Sequence, residues 1–561
     1  MFSIPFFARA LAGLGLIASA ACVHVAPQPE AGDASQAFYT VTGEIALSRH
    51  QPRVAALEYA AAAENARDAG LLQRAAQVSA ECLQPSLTVG IANRWIDVDP
   101  RSVEAHRAAA AAELALQQIE RAAADYRVVL SASPLGVDPE FAALETELGT
   151  TDNVYGARQL ADRLAGAFPS SVAALRLQGF AAMRADDPAA AVRSFTAALA
   201  STTDEGARRE LELALQRARI LSGDDEAPLA EAQSVLDHDA SSLNRLNYAL
   251  LLLAAQQAPG ARVQLVELAR DPDSAPAALR LLGLIDFQDG KYDEAQLRFA
   301  ELATTGKFLD DALYYLGLIA ERHGDWERAM RWYAQVQTGD NVVPALLRAA
   351  AILRAHGAAP AAEELLDRLV EEAPARAPEI LASRARIYSQ AGDMARAAVT
   401  LDEALLQFPD SVELRYAQAS LHEDRGDIAG ALRELKAVAK QRPDDPAALN
   451  AYGYTLADHS RSLGLARRLI EQAYASAPKN AAILDSFGWV LFRQGHAEQA
   501  LDYLNQAYAD DHGGDMAAHL GEVLWRVGRQ ADAERVWSEG ENIDADNSLL
   551  KATRLRLHAS N

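Results

Sequence analysis

The chain has 561 residues, with 53 Lys plus Arg against 77 Asp plus Glu, a formal net charge of -24. That acidic balance argues against a nucleic-acid partner, because phosphate binding needs clustered Lys and Arg. The two cysteines, Cys22 and Cys82, exclude a disulfide scaffold and a cysteine-based zinc site. Half of the residues are hydrophobic but only 6% are aromatic. Such an alanine-rich, charge-studded composition predicts soluble helix.

Residues 1–21 read as an export signal. Arg9 is followed by an apolar run, Ala10 to Ala18, and by the small residues Ser19, Ala20 and Ala21 before Cys22. This is the layout of a basic n-region, apolar h-region and cleavage site. The run is shorter than the ~20 apolar residues of a membrane span. The small residues before Cys22 resemble a bacterial lipobox, which implies lipidation of Cys22; Ser19 stands where that box carries a branched aliphatic residue. The competing reading is ordinary cleavage near Ala21. Residues 22–34, with Pro, Gly and acids but no apolar period, read as a tether holding the body off a membrane. Cys82 reads as a buried helical thiol without a partner.

From Ser35 onward the chain is periodic. Gly488 is followed by Gly495, Ala500 and Leu504, and Gly521 by Gly528, Ala533 and Trp537. Gly283, Gly317, Ala385 and Ala419 begin the same series. The offsets are seven to a glycine, twelve to an alanine, sixteen to a large apolar residue and often twenty-four to a proline. Each offset has a physical task. The first small residue lets a second helix approach. The glycine closes the first helix in a left-handed turn. The alanine is the close contact from the second helix, the large residue fills the gap, and the proline stops the second helix.

Prolines 374, 409, 443 and 478 keep a period of 34 to 35 residues. Gly43, Ala55 and Tyr59 mark the first unit, and Gly179, Ala191 and Phe195 another. Residues 70–102, 137–171 and 207–275 are degenerate and are placed by phase alone. The series resembles the tetratricopeptide repeat. The expectation is an all-α superhelical solenoid of about fifteen helix-turn-helix units. Residues 35–275 would be N-terminal, partly degenerate repeats, residues 276–547 well-formed repeats, and residues 548–561 a C-terminal cap.

No catalytic signature stands out: there is no H-E-x-x-H, G-x-S-x-G or G-x-x-x-x-G-K. His422, Glu423 and Asp424 are consecutive and point in different directions on a helix. His519, Glu522 and Arg526 can share a face, and a polar patch or surface pairing fits them better than an acid–base set. The expectation is therefore a protein without enzymatic activity, cofactor or metal.

In tetratricopeptide arrays the first helix of each unit lines a concave groove, and the resemblance places groove-facing side chains three before and one, four and five after the small residue. In the last three units these positions carry Asn450, Tyr454 and Asp458; Asp485, Trp489, Phe492 and Arg493; and Glu522, Trp525 and Arg526. Tyr, Trp and Arg dominate binding hot spots, so these residues form the candidate protein-binding site. Asn450 and Asp485 are suited to holding the backbone of an extended peptide. The competing reading places both tryptophans in the inter-helix core. The Lys and Asn set of carboxylate-clamp co-chaperones is absent.

The stretches LNAYGYTLADHS, AILDSFGWVLFRQGHAEQALDYLNQAYA and AAHLGEVLWRVGRQADAERVW, with the lipobox-like Cys22, resemble outer-membrane tetratricopeptide lipoproteins of Gram-negative bacteria. The similarity is greatest to those that bind a periplasmic carboxyl-terminal processing protease. The resemblance implies an adaptor on the periplasmic face of the outer membrane that presents peptidoglycan hydrolases to the protease. A scaffold for barrel assembly or polysaccharide export remains open as the alternative.

Overall fold

The computed structural model describes residues 31–559; Cys22, the export segment and most of the tether lie outside them. The described residues form thirty-one α-helices, from α1 (Ala31–Ser48) to α31 (Ser548–His558), with one short 3-10 turn and no strand. α1 begins inside the stretch expected to be tether, where alanines favour helix. Among the described residues no helix is long and apolar enough to cross a membrane.

Fourteen consecutive pairs of helices pack on each other, and α31 packs on the first helix of the last pair. The packing follows the sequence offsets. A Cβ placed on Gly317 would lie 2.3 Å from the Tyr333 ring, and one on Gly488 2.5 Å from Leu504. Tyr59, Phe195, Phe299, Tyr333 and Trp537, each sixteen residues after a glycine, are almost fully buried against it. The turn glycines Gly290, Gly324, Gly392, Gly426, Gly495 and Gly528 all adopt positive φ. Serines and aspartates cap the helix starts: Ser411, for example, accepts from the Leu414 amide, and Asp393 from that of Arg396. Each unit buries its apolar face against its neighbours, so the core is a chain of clusters and not one centre.

One unit departs from this pattern. α7 (Val137–Thr150) packs chiefly on α9 (Val172–Arg184), and α8 (Val154–Ala167) packs on α6 (Ile119–Ala132) and α9. The residues between α7 and α8 hold no left-handed turn residue, and Asn153 there donates instead to the Leu114 carbonyl at 2.9 Å. This is the stretch 137–171, where small residues are out of phase. Cys82 closes α3 (Ala69–Glu81), is buried and free, and its thiol is pushed up to about 11 by burial.

The candidate inner-face site

First helices of the last units lie side by side, so their groove-facing positions form one inner face. In the last units this face is α25 (Pro446–Asp458), α27 (Ala481–Arg493) and α29 (Gly514–Arg526), closed at the end by α31. Trp489 is 4% exposed. Its indole stacks on the His519 ring at 4.3 Å, and its Nε1 donates to Asp458 Oδ1 at 3.2 Å. The competing core reading therefore holds for Trp489, and the exposed-anchor expectation is corrected. Neighbouring first helices approach so closely that a ring at this offset fills the space between them.

The other expected site residues divide by depth. Asp485 and Glu522 are buried. Asp485 Oδ2 meets His519 Nδ1 at 2.6 Å, and Tyr454 Oη lies 3.3 Å from His519 Nε2. Burial opposes charge on His519, but the charge and hydrogen bond of Asp485 outweigh it and raise the imidazole above its ordinary value. Burial likewise raises the Tyr454 hydroxyl well above the usual range.

Arg556, on α31, grips Glu522 with both nitrogens at 3.0 and 2.5 Å. Arg493 is half-buried; it donates to the Asp458 carbonyl at 2.5 Å and to Ser460, and lies over the Trp489 ring. Phe492 and Trp525 are half-buried against Trp489 and Trp537 respectively, and Arg526 is exposed. Asn450 Oδ1 and Asp485 Oδ1 are buried acceptors without a hydrogen-bond partner.

The structure thus joins Tyr454, Asp458, Asp485, Trp489 and Arg493 in one inter-helix network through His519, with a Glu522–Arg556 ion pair between α29 and α31. Arg556 was not legible as a partner, since α31 lies beyond the repeat phase. Arg526 is the residue of the set that faces solvent.

Open space lies two units earlier. A cavity of about 500 Å³ sits between α21 (Ala377–Gln390) and α23 (Val412–Asp424). Its floor is small: Ala382, Ser383, Ala385, Ala417 and Ser420. Ala382, Arg386, Ser389 and Gln390 stand three before and one, four and five after Ala385, which are the groove-facing offsets. The offsets were therefore legible, while the residue types drew attention to units where the inner face is filled. Small side chains at groove positions signal room; large ones signal a filled groove.

The cavity is polar at its rim. Arg386 donates to Ser383 Oγ at 3.2 Å, and Ser389 Oγ to Asp424 Oδ2 at 2.9 Å. Desolvation pushes the Glu413 carboxyl up to about 7, helped by the charges of Glu379 and Asp152. Such a rim suits a polypeptide segment, whose amides and small side chains fit a shallow, mixed surface. Among the described residues no group of three or more His, Cys, Asp or Glu could hold a metal.

Residues 280–344 and 388–453 match the tetratricopeptide repeat. The chain is similar to the TPR repeat-containing protein PA4667 of Pseudomonas aeruginosa, 38% identical over 190 residues, which cover 34% of this chain. The chain spans only 32% of the length of that curated relative. Among solved structures it is similar to yeast Tom70, at 12% identity and a TM-score of 0.33, over 94% of this chain and 97% of that one. It is also similar to the APC/C Cut9–Hcn1 heterotetramer, at 12% identity and a TM-score of 0.30, over 93% and 96%.

The fold is an all-α tetratricopeptide-repeat solenoid. Arrays of this class hold protein partners on an extended inner surface.

Proposed function

We propose that this protein is a non-enzymatic adaptor, lipid-anchored through Cys22 to the periplasmic face of the outer membrane. It binds a carboxyl-terminal processing protease and brings peptidoglycan hydrolases to it. The observation that carries the reading is the length and unevenness of the inner face: an open, small-residue cavity at α21–α23 lies beside a dense aromatic and ionic stretch at α25–α31. Two unlike stretches on one frame suit two partners, and tethering both raises the local concentration of client at the protease.

The deciding experiment is reconstitution with purified protease and hydrolase. Faster client cleavage in the presence of this protein, with a ternary complex on a sizing column, supports the adaptor. Equal rates and no ternary complex refute it and favour the assembly scaffold. The anchor is tested separately: Cys22→Ser should release the protein from membranes into the soluble periplasmic fraction, and an unsubstituted protein that is already soluble refutes lipidation.

A further inference from the structure

The array curls until distant units touch. The contact joins the turn between α3 and α4 (Pro85–Val98) to the loop after α22 (Met394–Gln407), across more than 320 residues of sequence. Gln84 is at its centre and is 1% exposed. Its Nε2 donates to the Gln407 carbonyl at 2.7 Å and to the Cys82 carbonyl at 3.0 Å. Its Oε1 accepts from Arg53 at 2.7 Å. The Ser86 amide donates to Asp410 Oδ2 at 3.3 Å.

A second feature singles out the same turn. Outside the α7–α8 unit, the turn between the two helices of a unit holds a left-handed residue, glycine or a polar residue such as His50, Gln117, Asp186, Gln256 or Ser460. At the α3–α4 turn it is Leu83, with φ of 56°. Leucine pays a steric cost in that conformation, and an exposed turn gives it nothing in return. Here the side chain packs against the cluster of Leu401, Ala404 and Phe408 in the eleventh unit. The apolar residue stands at a turn that meets a distant unit.

The closure extends inward. Asp152, between α7 and α8, is near enough to Glu413 at the rim of the cavity to act on its carboxyl. Tyr155 is pushed up to about 12 by burial and then by the charge of Asp445. These charge effects bring the fourth unit near the twelfth and thirteenth.

We infer that the Leu83–Ser86 turn and the Gln407–Asp410 loop are a latch that holds the array closed on itself and gates entry of a polypeptide to the α21–α23 cavity. The joint is small, one apolar side chain and a few hydrogen bonds, whereas the units it joins are held along the chain by continuous helix packing. It can open without unfolding any unit, because a solenoid's units contact only their neighbours otherwise. The gate presumes that the cavity is a binding surface, but it does not depend on which protein binds there.

The test uses the full chain carrying Cys22→Ser, Cys82→Ala and Ser389→Cys, so that the one thiol is on the cavity wall and none remains in the latch turn. The readout is the labelling rate by a maleimide-dextran relative to N-ethylmaleimide. Gln84→Ala combined with Asp410→Ala should raise that ratio several-fold and increase the radius of gyration in X-ray scattering, with the helical circular dichroism unchanged. Because Gln84 also binds within its own turn, Asp410→Ala alone is the control and should shift both readouts in the same direction by less. A ratio and radius unaltered in both variants would overturn the latch. Loss of client delivery with the latch behaviour intact would instead count against the adaptor reading alone.

Discussion

The groove at α21–α23 and the groove at α25–α29 are built on the same offsets and do opposite things. After Ala385 the inner positions are Ala382, Arg386, Ser389 and Gln390, and the space stays open. After Gly488 they are Asp485, Trp489, Phe492 and Arg493, and the space fills. The difference teaches that, on a helical repeat, residue size at the inner positions decides whether a stretch stays open or fills. The filled stretch also carries the buried Asp485–His519 pair, because aromatic walls exclude water and leave polar groups only each other.

This contrast is broken or sharpened first by Trp489→Ala. If the filled stretch is frame, the substitution should cost ~3–5 kcal/mol, the range for emptying a buried large aromatic site. Hydrogen exchange should show the loss in α27 and α29, since repeats unfold locally. Full retention of protection with loss of partner capture would return Trp489 to the role of an anchor.

Next in size are the close helix contacts common to both stretches. Ala397 and Ala500 are fully buried. Ala397→Leu or Ala500→Leu should destabilise by ~1–3 kcal/mol in urea melts, because no room exists for added carbons. A neutral result at either would mean that the helix pairs adjust independently of the repeat offsets.

A smaller effect follows from acidity. Asp485 raises His519 above its ordinary value of 6.5. A raised imidazole contributes stability that is complete below its unfolded value and is lost as pH rises through its folded value. The α27–α29 region should therefore soften on the alkaline side, and Asp485→Asn should abolish that dependence while α21–α23 shows none from this pair. An identical pH profile in the variant would remove the pair from the account.

The smallest stability effect belongs to the open stretch. Arg386→Ala and Ser420→Ala, at exposed cavity positions, should change stability by no more than ~0.5 kcal/mol. Partner capture should nevertheless weaken if the cavity is used. Undiminished capture in both would shift the binding surface elsewhere on the inner face.

What the sequence determined by itself is the local unit. The glycine at 317 and the tyrosine at 333, the left-handed Gly324 and the caps at Asp393 and Ser411 act within one unit or its neighbour, so a fixed offset is enough to specify them. The polar makeup of the candidate site was legible in the same way, down to Tyr454, Asp485 and Glu522 being on one face. Depth was not legible, because whether Trp489 is covered depends on the combined volume of His519, Tyr454 and Asp458 from other units. Nor was closure: small rotations between units accumulate along the array, and only their sum brings Leu83 and Gln84 to Phe408 and Gln407. No short-range pattern encodes that sum, which is why the latch and the open cavity beside it emerged only in three dimensions.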